Sequence, residues 1–257
     1  MHRRSFLLSA TLLAAARRAF AQGGAPRELI ADLVAGNRIL ATQAVLDAQG
    51  HISVRHPSRA DRFLLARSMP PASVTADDIL EYNLDADPID ARGRTSYRER
   101  FIHSEIYRAR PDVLSVVHCH TPSLLPFADS DVPMRAMYHM AAFVALGVPV
   151  FDIRKEAGIT DLLVGDTRLG RALAKTLADK SAVLMRHHGA VVVANSIPNA
   201  VARAVYLDQN ARIQLQTAAL GGRATYVDPG EAKLRMADPN EYSRAWDLWK
   251  SEVGTAK

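Results

Sequence analysis

Val113-Leu114-Ser115-Val116-Val117-His118-Cys119-His120 is the stretch from which the rest of the chain can be read. It follows Pro111, which stops any preceding helix, and its β-branched run from Val113 to His118 has the composition of a buried strand. Side chains at i and i+2 of a strand share a face, so His118 and His120 project together while Cys119 turns to the other side. Two imidazoles on one face form a two-toothed chelate for a divalent cation. An open catalytic zinc site typically uses three protein ligands and water, so the pair needs a third partner. Without one, a His-x-His is equally an incidental pair.

Downstream, Arg186-His187-His188-Gly189 lies between two apolar runs, Ala182–Arg186 and Val191–Ala194, expected to be adjacent strands. Gly189 allows a tight turn or a close backbone approach, which lets a neighbouring imidazole turn inward. Upstream, Tyr97 to Arg110 has the spacing of a helix, with Glu99 and His103 four apart on one face. That placement brings Glu99 towards the sheet end where His118 and His120 emerge, and a carboxylate there suits general acid/base work. The same spacing also suits a solvated Glu99–His103 or Glu99–Arg pair.

Around this centre, Arg27–Ala48 is expected as a helix closed by Gly50. His51–Arg55, Arg62–Ala66 and Glu81–Leu84 are expected as an antiparallel meander, with Ser73 or Thr75 capping a short helix through Asp78 to Leu80. Another strand is expected at Val148–Ile153, and helices at Leu169–Ala178, Asn199–Leu220, Pro229–Met236 and Glu241–Glu252. Strands interleaved with helices, without a regular βαβ repeat, predict one three-layer α/β/α domain over 22–257 with a largely antiparallel central sheet. Gly165–Gly170 lacks the ending of a phosphate loop and is expected as a helix N-terminus; no Gly-x-Ser-x-Gly elbow occurs.

The chain has 257 residues, 48% of them apolar, which excludes disorder as its main character. Its net charge of +5 would suggest nucleic acid or an anionic surface, but Arg3, Arg4, Arg17 and Arg18 all lie in the acid-free stretch MHRRSFLLSATLLAAARRAFA, residues 1–21. The apolar segment Phe6–Ala16 is too short to span a bilayer, and Ala19-Phe20-Ala21 has the small-x-small form of a cleavage site. Arg3-Arg4-Ser5-Phe6-Leu7 resembles the twin-arginine export signal. Residues 1–21 are therefore expected to be a signal peptide and the mature protein periplasmic. Removing them takes the charge to +1 and leaves no run of five like charges, so neither nucleic acid nor membrane is expected as a partner after cleavage. Cys119 is the single cysteine, which excludes an intrachain disulfide.

Glu99, Tyr107-Arg108-Ala109-Arg110-Pro111-Asp112-Val113, Val116-Val117-His118-Cys119-His120 and His187-His188-Gly189 together resemble the class II aldolase/adducin family, over about Gly50 to Leu220. The resemblance implies a three-layer fold, a homotetramer with active sites at subunit interfaces, and one divalent ion per chain held by His118, His120 and His188. Zinc, manganese, iron and cobalt all suit three imidazoles. It implies that Glu99 is the acid/base group and that His187 only supports the site. The sugar-phosphate aldolases of the family carry Gly-Asn before the first strand's Ile/Val-Ser and paired serines before the glutamate; here stand Gly50-His51-Ile52-Ser53 and Tyr97-Arg98-Glu99. Two phosphate contacts are thus replaced.

This pattern resembles the family's decarboxylase branch, which acts on hydroxylated aromatic or heteroaromatic carboxylic acids. The implied function is a metal-dependent carbon–carbon lyase that works through a metal-stabilised, enolate-type intermediate. His51, Ser53, Arg98 and Tyr138 are the implied contacts to a small carboxylic acid substrate, Arg98 through its two-pronged guanidinium. His139 takes the place of the family's proton-donating interface tyrosine. The alternatives are an aldolase or epimerase on a non-phosphorylated sugar or sugar acid, and a non-catalytic adducin-like interaction module.

Overall fold

The computed structural model describes residues 25–238 and 240–254, so the leader at 1–21 lies outside the described residues. Among the described residues seven strands form one sheet: β1 (His51–Arg55), β2 (Arg62–Ala66), β3 (Ile79–Asn83), β4 (Ser115–Cys119), β5 (Val150–Phe151), β6 (Ala182–Met185) and β7 (Gly189–Ala194). Their order is β3-β2-β1-β4-β7-β6-β5, and every pairing is antiparallel except β5 with β6. The expected largely antiparallel sheet is what the chain forms.

The eight α-helices of the described residues are α1 (Arg27–Thr42), α2 (Arg100–Ala109), α3 (Leu125–Ala128), α4 (Ile153–Ala157), α5 (Thr167–Leu177), α6 (Ile197–Ala219), α7 (Pro229–Arg235) and α8 (Ser243–Val253). Strand alternation assigns the two layers. Val117 and Cys119 join the apolar cluster that also holds Leu33 and Ile39 of α1, Val201 and Val205 of α6 and Trp246 of α8. Val116 faces the other way, into the cluster with Ile102 and Ile106 of α2 and Leu173 and Leu177 of α5. β4 is buried over its whole length and lies at the sheet's centre. A side chain at its end therefore sits on a rigid platform.

Capping sets the helix starts. The side chains of Asp166 and Ser196 accept hydrogen bonds from the backbone N–H groups of Leu169 and Asn199. Gly165–Gly170 is thus a helix N-terminus, as expected, and Gly170 lets α5 lie against α2, since a methyl there would meet the Phe101 carbonyl oxygen. Thr75 and Asp78 form a reciprocal capping box on a single 3₁₀ turn.

Several boundaries differ from the sequence expectation. The helix expected from Tyr97 begins at Arg100, because Glu99 has the non-helical angles φ −88°, ψ 19° of a flanking residue. Helix α1 ends at Thr42, short of Ala48, and Ala44 takes φ 56°. The expected strand Val148–Ile153 is two residues long, and Asp152 then caps α4 by accepting from Arg154 N–H. His139–Leu146 folds as 3₁₀ turns. From Met140 to Leu146 every residue is apolar, so the segment carries no period from which to read them.

Candidate metal centre

The antiparallel register of β4 and β7 sets Cys119 opposite Ala190, so the end of one strand lies beside the start of the other. Glycine is required at 189: a Cβ there would stand 2.9 Å from His120 Cα and closer still to the Cys119 carbonyl oxygen. This approach carries His188, in the β6–β7 turn, to the pair on β4. His118 Nε2 and His120 Nε2 are 3.0 Å apart, and His120 Nε2 and His188 Nε2 are also 3.0 Å apart. Glu99, buried at the start of α2, completes the group, with Oε2 3.2 Å from His118 Nε2 and 3.4 Å from His188 Nε2. One ligand atom from each of the four lies within 4.8 Å of every other.

The hydrogen bonds behind these side chains settle which lone pairs point inward. His118 Nδ1 is 3.1 Å from the Ala190 carbonyl oxygen and His188 Nδ1 is 2.9 Å from that of Leu162. A carbonyl only accepts, so both Nδ1 atoms carry hydrogen, and in the neutral form of each ring it is Nε2 that offers a lone pair to the cluster. Burial, reinforced by His118 and His188, pushes His120 down to about 4, so it too is neutral near pH 7. Burial opposes ionisation of Glu99, yet attraction and hydrogen bonding from His118 and then His188 hold its carboxyl far below the usual carboxylate range. The opposite balance holds at His188, where burial disfavours the charged ring and Glu99 outweighs it, raising the pKa. Three imidazole nitrogens and a carboxylate oxygen, with two rings oriented by carbonyls behind them, fit a divalent cation.

The segment 158–166 holds the site from above by backbone alone. Val164 N–H donates to Glu99 Oε1 at 2.9 Å, and the Leu162 carbonyl orients His188. Sequence reading misses this segment because main-chain donors and acceptors leave no mark on residue type.

Other expected site residues fall in different places. Arg98 is exposed one residue before Glu99 and pairs with Asp161 at 2.7 Å. His51 is buried opposite His118 across the β1–β4 pairing, with ring centroids 5.1 Å apart. The solvated Glu99–His103 pair does not form; His103 is fully buried and bonds to His51 and Ser53. The Ser53 hydroxyl is fully buried and shared between His103 and Tyr107.

Tyr138 and His139 lie outside the cluster of their own chain. Tyr138 donates its hydroxyl hydrogen to Gln209, and His139 lines a groove with Met140, Tyr206, Arg235 and Tyr242 that includes none of the four clustered residues. The 139–146 turns pack against α7, which keeps both residues out of the cluster. His187 also points elsewhere, to Asp129 Oδ1 at 2.9 Å.

Residues 31–215 match the family described as Class II Aldolase and Adducin N-terminal domain. The chain is 37% identical to decarboxylase tropJ of Talaromyces stipitatus, over 86% of this chain and 92% of that protein. It is 30% identical to a 3,4-dihydroxyphthalate decarboxylase of Arthrobacter keyseri, over 84% and 89% respectively. Among solved structures, an aldolase II superfamily protein from Pseudomonas syringae superposes with TM-score 0.75 at 22% identity, covering 93% of this chain and 98% of that one. The chain belongs to the class II aldolase and adducin family and is a lyase.

Proposed function

We propose that this protein is a metal-dependent lyase that decarboxylates a hydroxylated aromatic or heteroaromatic carboxylic acid, with one divalent ion per chain on His118, His120 and His188 and Glu99 beside it as the acid/base group. The observation that carries this reading is the convergence of three imidazole Nε2 atoms and the Glu99 carboxylate at the end of β4. Support for decarboxylation comes from relatives described as decarboxylases and from the replaced phosphate contacts at His51 and Arg98. When bound, the cation supplies Lewis acidity, polarising a substrate oxygen and accommodating the negative charge that develops as a carbon–carbon bond breaks.

The chain's own residues supply the remainder. Glu99 is ionised and held at Oε1 by Val164 N–H, so it is fixed in place to take a proton from a substrate hydroxyl and return one to the ring carbon. The ring–carboxylate bond breaks, carbon dioxide leaves and a proton takes its place on carbon. Arg98, exposed beside Glu99, meets the departing carboxylate by exchanging it for Asp161.

The proposal extends to a homotetramer in which Tyr138 and His139 serve a neighbouring subunit's site, and to periplasmic export by residues 1–21. The first rests on the family resemblance and on the position of Tyr138 and His139 outside their own chain's cluster; the second rests on the Arg3-Arg4 leader. The test is metal-reconstituted mature protein incubated with a panel of hydroxyaryl carboxylates and non-phosphorylated sugar acids. Carbon dioxide release from an aryl acid is expected. Aldehyde release from a sugar acid alone would overturn the proposal.

A further inference from the structure

Beneath the cluster runs a string of four buried polar side chains. His51 Nδ1 lies 2.7 Å from His103 Nε2, His103 Nδ1 lies 2.6 Å from Ser53 Oγ, and Ser53 Oγ lies 2.7 Å from the Tyr107 hydroxyl. All four residues are at most 3% exposed. Burial, with the neighbouring His118, pushes His103 down to about 3. His103 is therefore neutral near pH 7 and carries one N–H.

A string of neutral groups has two possible directions. If His51 Nδ1–H donates towards His103, then His103 donates to Ser53, Ser53 donates to Tyr107, and the phenol hydrogen is left over. Tyr107 is 1% exposed, and its other polar neighbour, the Val116 backbone, favours the phenolate and hence donates to it. A stranded buried hydroxyl hydrogen costs about 1–3 kcal/mol. In the opposite direction every hydrogen is used: Tyr107 donates to Ser53, Ser53 to His103 Nδ1, and His103 Nε2–H to His51 Nδ1. That direction leaves the single hydrogen of His51 on Nε2, the nitrogen away from the string, on a ring lying between His103 and His118.

We infer that Tyr107, Ser53 and His103 are positioning residues that fix His51 as an Nε2–H donor, and that His51 thereby selects an anionic oxygen of the substrate, carboxylate or phenolate, beside the metal centre. This rests on the proposed decarboxylation, and it adds the group that recognises the acid and the reason it is a donor. A neutral donor bonded to a charged acceptor contributes mainly to binding, so its loss appears in KM.

The experiment uses zinc-loaded mature protein with ¹⁵N-labelled histidine. Multiple-bond ¹H–¹⁵N correlation spectra report which ring nitrogen of His51 is protonated, with the signal assigned by its absence in His51→Gln. His51→Asn serves the assignment if the glutamine variant loses its zinc. The expected result is protonation at Nε2 in the wild type and mixed Nδ1 and Nε2 protonation in Tyr107→Phe, which keeps the ring but frees the direction. In kinetics, His51→Leu should raise KM roughly 10- to 100-fold with kcat little changed, while His51→Gln, which retains an N–H near the same place, should recover most of that loss. Nδ1 protonation in the wild type, or equal KM values for the leucine and glutamine variants, would overturn the inference. The spectrum needs no substrate, so its outcome is separable from failure of the decarboxylation reading, which the product assay reports.

Discussion

Replacing Gly189 by alanine probes how the sheet builds the site, because it alters none of the clustered side chains. The added methyl would sit 2.9 Å from His120 Cα, against an ordinary contact of 3.4–4 Å, and nearer still to the Cys119 carbonyl oxygen. Both neighbours are backbone atoms of β4 or its end, so the strain cannot be relieved by a rotamer change. The ends of β4 and β7 must part by about half an ångström or more at His120, whereas ligand distances in metal sites hold within about 0.2 Å. Overpacking of this kind costs about 1–3 kcal/mol, or roughly 2–12 °C in Tm for a chain of this length. The separation also stretches the His118 Nδ1 contact to Ala190 and carries His188 away from His120, so metal affinity should fall by about 10- to 100-fold or more. Zinc competition against a chelator, alongside a thermal melt of the metal-free protein, measures both quantities. A Gly189→Ala variant with wild-type zinc affinity and an unchanged melt would refute the reasoning.

Glu99→Gln should cut turnover by at least ~100-fold while the three imidazoles retain zinc, a split seen by measuring metal content and rate on one sample. Gly170→Ala should destabilise by about 1–3 kcal/mol, because its methyl meets the Phe101 carbonyl oxygen between α2 and α5, yet leave zinc affinity unchanged in the competition assay. Acid should destabilise the protein through His103. The folded chain keeps that ring neutral down to about 3, whereas the unfolded chain takes up its proton below about 6.5. The stability it contributes is complete above about 6.5 and is lost as pH falls from there towards 3, with a slope of about 1.4 kcal/mol per pH unit. Denaturant titrations across that window should give a shallower pH dependence for His103→Gln than for the wild type.

The parts of the fold legible in the sequence are those with a strong local signal. The β-branched run ending in His118-Cys119-His120 fixes both a strand and the face its histidines share, and Cys119 lies in the opposite cluster as alternation requires. Gly189 reads as a place of close approach because only a missing side chain admits the neighbouring backbone. Three things escape such reading. Glu99 reaches the cluster from a helix-flanking residue, so four-residue spacing with His103 describes a helix face that does not exist there. The loop groups at Leu162 and Val164 act through main chain. Ser53 and His103 look like surface or substrate groups by residue type, and only the packing of α2 over β1 makes them a buried string.

The most direct test of the account is carbon dioxide release by chelator-stripped mature protein as a divalent metal is added back. Activity should be absent at the start, rise with added metal and level off at one ion per chain, with His118→Ala silent throughout. Full carbon dioxide release by the stripped protein would contradict it.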